Sequence, residues 1–401
     1  MKVVLVTGFT PTPENRGGIS ALIYSLLNYR PEYVDIKIYS LNDNQIVNEE
    51  ISVISKKLRS DISIIERPRT IWDFIGKTWS ARLQKLYWGA LSTYGIASKK
   101  FIKLLSEENC DFILLYPFYL SGIARVLPSK KIAILGPDSE VLNRSRRLAE
   151  PYRLSSRKMM IDDFVYLQKY LSTEKLYGES NISVNFVGWA DRKCYSDVTG
   201  NTNGHFILHP YVKFKDKVID FSHKRLKVVI PGNYDMYYRS DVDKMITTFL
   251  ENKFFLLEHF KFTFLGKHWA PVDKILKDSG FDCEFKKWVD DYADELIQHD
   301  IQITPISLGT GTKGKVLDAA VNGLLVIGSY YALENVCVRH LDSCVMYKDA
   351  SEIGNLLKHV ALNRERYQRI AEKGRTQVLR YHNPVTISER FFRLNYNLLC
   401  K

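Results

Sequence analysis

No Cys-x-x-Cys pair occurs in the 401 residues, and the six cysteines, at 110, 194, 283, 337, 344 and 400, are scattered. Such scatter excludes a disulfide framework and a zinc ribbon and is the pattern of reduced core thiols. No apolar run approaches the roughly 20 residues that a membrane-spanning helix needs. No histidine precedes His205, and no histidine pair has metal-ligand spacing, so neither metal nor cofactor is expected. Low-complexity tracts and short repeats are absent, which excludes solenoids and flexible tails. The apolar start MKVVLVTGF is too short and ends too polar for a secretory signal, and a cytoplasmic location is the expectation. Acid is also scarce: 45 Asp and Glu stand against 57 Lys and Arg, a formal charge of +12. That excess calls for an anionic partner. No RNA-binding signature or zinc-finger spacing appears, so nucleic acid is the least suitable of the anions.

What is present is alternation. Apolar strand patterns at 2–7, 34–40, 61–65, 111–116, 131–135 and 183–187 are separated by helical patterns at 18–28, 71–106 and 157–177. A second series restarts at 226–231 and continues through 260–265, 282–285, 301–304, 324–328 and 343–347. Strand–helix alternation builds doubly wound, mostly parallel sheets. The chain is too long for one ordinary core, so two tandem Rossmann-like domains facing a cleft are expected. The polar stretch 197–204 has loop composition and marks the expected linker, giving domains 1–203 and 204–380. The apolar set Phe391, Phe392, Leu394, Tyr396 and Leu398 marks a last helix within 381–401.

Chemistry concentrates in residues 301–328. An apolar run (301–306) meets a turn holding Gly309, Thr310, Gly311, Thr312, Lys313 and Lys315, followed by a short helical pattern and a second apolar run. Glycines let a backbone approach a ligand, the hydroxyls donate, and the lysines reinforce the positive end of a helix. A helix N-terminus after such a turn receives phosphate. Asp318 follows about 5–8 Å along the helix, where a carboxylate accepts two hydrogen bonds from a ribose diol. An ordinary surface turn shows glycines and lysines too. Three glycines, two hydroxyls, two cations and an acid in ten residues favour a nucleoside diphosphate site.

The same stretch resembles the C-terminal domain of the family 4 retaining glycosyltransferases of the GT-B fold. Their pattern Pro-x-x-x-Gly-Ser-Gly-Thr-x-x-Lys-x-x-Glu-Ala-x-x-x-Gly reads here as Pro305, Gly309, Thr310, Gly311, Thr312, Lys315, Asp318, Ala319 and Gly323. The family's ribose-binding glutamate falls on Asp318, one methylene shorter. Phe262 to Lys267 is similar to the family's strand-then-glycine element, Lys287-Trp288-Val289 stands where members clasp the base, and Glu372 to Arg375 with 382–401 resembles the closing helices. The resemblance is strong over about half the chain. It implies Gly17, Gly18, Gly232, Asn233 and Lys267 near the donor, Glu334 near the donor sugar, a last helix bracing the N-terminal domain, and transfer with retention.

The resemblance also implies a histidine near the reacting sugar that this chain lacks, which leaves Asp138 or Tyr116 as substitutes. Residues 136–147 (GPDSEVLNRSRR) follow a strand end, so Asp138 is a candidate catalytic group and Arg144 a contact for an anionic acceptor, although Asp and Ser also begin helices routinely. Residues 67–88 interleave Arg82 and other cations with Trp72, Trp79 and Trp88. This stretch reads either as a peripheral membrane or acceptor surface or as a core helix with snorkelling lysines. Asp241-Val242-Asp243 opens a helical pattern, where acids are ordinary dipole partners. The expected activity is transfer of a sugar from a nucleotide-sugar donor to a glycan or lipid-linked acceptor. A sugar-nucleotide epimerase or hydrolase on the same fold, or a non-catalytic polyanion binder, is the alternative.

Overall fold

A computed structural model of the chain describes residues 1–14, 19–66, 97–136, 138–149 and 157–401. Two compact units are present: residues 1–209 with 384–401, and residues 210–383.

The first unit holds a parallel sheet of strands β1 (Lys2–Thr7), β2 (Asp35–Ser40), β3 (Ile62–Ile64), β4 (Phe112–Tyr116), β5 (Ile132–Leu135), β6 (Ile182–Phe186) and β7 (Gly204–Phe206). Their order is β3-β2-β1-β4-β5-β6-β7. Parallel sheets are covered on both faces, which is why β1 and β4 read as unbroken apolar runs. Side chains alternate across the strand: Val3 and Leu5 enter one core cluster, Val4 and Val6 the other. The sheet order reverses between β1 and β4, the switch point of this unit.

The second sheet has β8 (Leu226–Pro231), β9 (Phe260–Leu265), β10 (Cys283–Lys286), β11 (Ile301–Thr304), β12 (Leu325–Gly328) and β13 (Val345–Met346), in the order β10-β9-β8-β11-β12-β13. Its switch point lies between β8 and β11, and the loops after these strands therefore flank its ligand crevice.

Two expectations shift. Residues 197–204 are not a linker, and the junction falls at His209/Pro210 rather than at 203/204. The reason is local: Gly204–Phe206 adds β7 beside β6. The Asn203 side chain donates to the Ile182 carbonyl at 2.8 Å, and that of Asn201 to the Glu174 carbonyl at 3.1 Å. Polar turn composition here serves a tight, fastened connection. His205 accordingly belongs to the first unit.

The last helix, Pro384–Cys400, buries Ile387, Phe391, Phe392 and Leu399 in the first unit's core. Asn395 on its buried face accepts from Ser183 Oγ and Asn185 Nδ2, both at 2.9 Å, and donates to the Phe391 carbonyl. Asn395→Ala removes the acceptor of the Ser183 hydroxyl and the shortest of the three bonds that Asn185 Nδ2 makes. We expect a loss of roughly 1–3 kcal/mol in the first unit's urea unfolding free energy, with nucleotide binding unchanged.

Candidate functional site

The carboxyl ends of β8, β9 and β11 are pulled together by contacts that leave no spare room. Gly232, after β8, and Gly266, after β9, have φ of +130° and +129°, a region that disfavours any side chain. A Cβ on Gly266 would lie 2.0 Å from the Gly232 carbonyl oxygen. That oxygen accepts the indole N–H of fully buried Trp269 at 2.7 Å. Lys267 N donates to Asn233 Oδ1 at 3.2 Å, joining the two loops again, while the Lys267 and Asn233 side chains stand exposed. From the other side of the crevice, Ser307 N donates to the Tyr237 carbonyl at 2.9 Å.

The glycine turn after β11 opens a helix, Gly314–Val321, whose first residue follows Lys313 with no side-chain cap. Gly311 takes φ +64°, as its place in the turn requires. The first N–H groups of a helix have no partner within the helix, and they carry its positive end. Lys315 is held in a defined place. Its Nζ donates to Tyr238 Oη at 2.8 Å and lies 5.1 Å from the Tyr238 ring centre, and Tyr238 Oη donates to the Pro231 carbonyl at 2.9 Å. Gly232 sits beneath this pair, since a Cβ there would meet Tyr238 Oη and Lys315 Nζ. Lys313 behaves differently: its ammonium folds back onto the Thr310 and Gly311 carbonyls and stabilises the turn itself. Thr310 is buried, and Thr312 is half-buried beside Gly309 and Gly311. Asn335 Nδ2 donates to the Gly311 carbonyl at 3.3 Å, which brings the neighbouring, largely buried Glu334 to the same turn.

Asp318 is half-buried, and its Oδ1 accepts from Val212 N at 3.0 Å. Only its second oxygen is left for a further partner, a division the sequence did not show. Burial pushes its carboxyl up to about 7, opposed by the Val212 hydrogen bond. Tyr292 Oη is buried beside this carboxyl with no hydrogen-bond partner among the described residues. Trp288, after β10, is 66% exposed, while Val289 packs against the core.

Several expected residues serve other purposes. Tyr116 is fully buried, and its Oη donates to the Ile19 carbonyl at 2.5 Å, so it is a core residue rather than a ligand contact. Arg144 pairs with Asp163 at 2.7 Å and with Glu140 at 3.6 Å and lies over the Tyr166 ring, which ties it between two helices rather than offering it to an acceptor. Asp138 is half-buried in the loop after β5. Below it, Ser139 N donates to Asp191 Oδ1 at 2.8 Å, and Ser139 Oγ lies 3.4 Å from Glu174, whose carboxyl burial pushes up to about 8. Asp241 and Asp243 accept from Tyr347 Oη and Tyr234 Oη, which makes them helix-start acids with tyrosine partners. Gly17, Gly18, Trp72, Trp79, Arg82 and Trp88 lie outside the described residues.

Sequence reasoning missed Tyr238, Trp269, Tyr292 and Val212. Each acts through a partner 26 to 106 residues away, and no local spacing announces such a pairing.

Residues 245–393 match the family model described as glycosyl transferase-like. No curated protein sequence matches the chain. Among solved structures, sucrose-phosphate synthase from Thermosynechococcus elongatus is similar with a TM-score of 0.70 at 12% identity, covering 99% of both chains. Anabaena HepE in complex with UDP-glucose gives 0.67 at 11% identity, covering 98% of this chain and 99% of its own. A glycosyltransferase from Rickettsia africae gives 0.68 at 10% identity, covering 100% and 99%. The chain has the GT-B fold, and the stretch similar to glycosyl transferases runs from the second unit into the last helix.

Asp318→Asn keeps an acceptor for Val212 and removes the charge. A carboxyl with a raised folded-state value binds more protons folded than unfolded, so its ionisation lowers stability as pH rises from about 4 to 7. The variant should therefore gain on the order of 1–3 kcal/mol over the parent at pH 8, less at pH 6, and nothing at pH 4. Urea melts at the three values check this, and a gain largest at pH 4 would refute the buried carboxyl.

Proposed function

We propose that the chain transfers a hexose from a uridine diphosphate sugar to a glycan or lipid-linked glycan. The observation that carries the proposal is the Lys315 ammonium fixed at Tyr238 beside an uncapped helix N-terminus and a glycine turn. The ligand named in the HepE structure supports uridine as the base. In this reading the diphosphate lies on the turn, the ribose meets the free oxygen of Asp318 and the Tyr292 hydroxyl, and Trp288 borders the base. As the bond from the sugar's anomeric carbon to the diphosphate breaks, negative charge grows on the leaving oxygen. Lys315 and the helix N–H groups stabilise that charge without rearranging, because they are already held in place. Glu334 lies beside the donor sugar and Asp138 on the acceptor side. Retention at the anomeric carbon follows the family that the turn resembles. The acceptor would be a growing surface polysaccharide or glycoconjugate, met at the inner membrane face through residues 67–88. No described helix is long and apolar enough to cross a membrane.

Lys315→Ala should lower kcat by roughly 10²–10³, the loss typical of one charge-stabilising donor, with a smaller change in uridine affinity. Tyr238→Phe keeps the ring and loses the hydroxyl, so it should lower kcat about tenfold, and it leaves the Pro231 carbonyl without its donor, at a cost of roughly 1–3 kcal/mol of stability. Equal turnover in parent and Lys315→Ala at saturating donor removes Lys315 from the reaction. Donor breakdown that accelerates with added glycan supports transfer. Interconversion of the free donor supports an epimerase instead.

A further inference from the structure

The buried groups that the proposed reaction leaves unused converge beneath the loop after β5. Glu174, the last residue of helix Arg157–Glu174, is fully buried. Its Oε1 lies 3.4 Å from both Ser139 Oγ and Val141 N, at the start of helix Glu140–Ala149. Its Oε2 is buried with no hydrogen-bond partner among the described residues. Asp191 of helix Trp189–Thr199, also fully buried, holds the same loop by accepting Ser139 N at 2.8 Å. Two buried carboxyls from two helices thus meet at Ser139, next in the chain to Asp138. The groups that face Glu174 are acids and neutral donors. Glu140 and Ser139 come from the segment after β5, Asp191, Cys194 and Tyr195 from helix Trp189–Thr199, and Tyr177 from the turn after its own helix. Tyr170, one turn back on that helix, faces Glu140 and Arg144. Arg144 and Arg147 pair with Asp163 at 2.7 and 2.8 Å, and Lys175, the next residue, is exposed. Among the described residues, no cation pairs with Glu174.

A carboxylate buried away from water and cations is strongly disfavoured, so such a group keeps its proton above the ordinary carboxylate range. Burial pushes Glu174 up to about 8, opposed by the Val141 and Ser139 hydrogen bonds and reinforced by Glu140 and Asp191. When the loop opens and water enters, the carboxyl returns to its ordinary 4.5. Opening and ionisation therefore favour each other. We propose that Glu174 is a proton-operated latch on the Asp138 loop: with its proton it holds the start of helix Glu140–Ala149 closed, and loss of that proton to water favours the open loop. It is a positioning residue, which touches no substrate and acts through Ser139 on Asp138. The latch stands on the first unit alone. Its bearing on sugar transfer rests on the function proposed above, in which Asp138 lies on the acceptor side. Between about 4.5 and about 8 the closed loop binds one proton more than the open one, so closure weakens as pH rises through that window and is constant outside it.

The test is amide hydrogen exchange of the full chain, parent and Glu174→Gln, across the pH window, with each rate divided by that of the unfolded chain at the same pH. Residues 139–142 of the parent should open more readily than β5, as a local opening requires. Their protection should fall roughly tenfold per pH unit up to about pH 8 and then level. Glu174→Gln keeps an acceptor oxygen for Val141 and cannot ionise, so its protection there should not change with pH. Sugar transfer, read beside it, should decline with pH in the parent relative to the variant, while uridine diphosphate affinity stays equal in both. A flat parent, equal slopes in parent and variant, or 139–142 opening only together with β5 overturns the latch. The first and last of these are read on the parent alone, so they decide the matter even if the variant does not fold. Parallel pH profiles of transfer in the two proteins overturn the loop's part in the reaction. A chain that shows the exchange step but binds no uridine diphosphate defeats the donor reading and leaves the latch in place.

Discussion

The second unit's ligand edge depends on two glycines that no other residue can replace. Gly232 and Gly266 bring their loops so close that one missing methyl decides the geometry. Trp269 then locks Gly232 from below through its indole N–H, and its ring stacks with Tyr234 at 5.5 Å between centres. Because the β8 loop is fixed, Tyr238 is fixed, and because Tyr238 is fixed, Lys315 has one place to stand. A flexible lysine tip is thereby converted into a positioned charge, and positioned charges are what stabilise developing charge well.

The balance of burial and charge around this edge is uneven in an informative way. Lys313 donates to the turn's own carbonyls, whereas Lys315 donates to the Tyr238 hydroxyl. Asp318 carries the reverse burden: it is pushed towards neutrality by burial while it holds Val212 at the start of the second unit. The Val212 segment is fastened to the same helix again, since Asn322 accepts from Lys215 N at 2.8 Å and donates to the Lys213 carbonyl at 2.9 Å. Lys213 and Lys215 then pair with Asp291 and Asp294 at the helix that carries Tyr292. The Asp318 carboxyl, the start of the second unit and Tyr292 are one connected group.

Much of this was legible in the sequence, for a physical reason. Strands buried on both faces must be apolar throughout, so β1, β8, β9 and β11 could be read to within a residue or two. The glycine turn before the short helix was legible because its glycines, hydroxyls and lysines lie in one short window. What escaped has long reach or depends on burial. Gly204–Phe206 is too short and polar to read as a strand, and pairing with β6 alone makes it one. Tyr116 follows a strand and looked available, yet the Ile19 carbonyl takes its hydroxyl. Arg144 looked like an anion contact until Asp163 appeared from a helix that the spacing could not orient.

The central claim is that the turn at 309–315 receives a diphosphate, and calorimetric titration of the parent chain with uridine, uridine monophosphate and uridine diphosphate tests it most directly. Each added phosphate should tighten binding, and the diphosphate should bind at least about tenfold more tightly than the monophosphate, the equivalent of about 1.4 kcal/mol for the second phosphate at Lys315 and the helix N-terminus. Affinity that is the same for the mono- and diphosphate, or absent for both, would contradict the account.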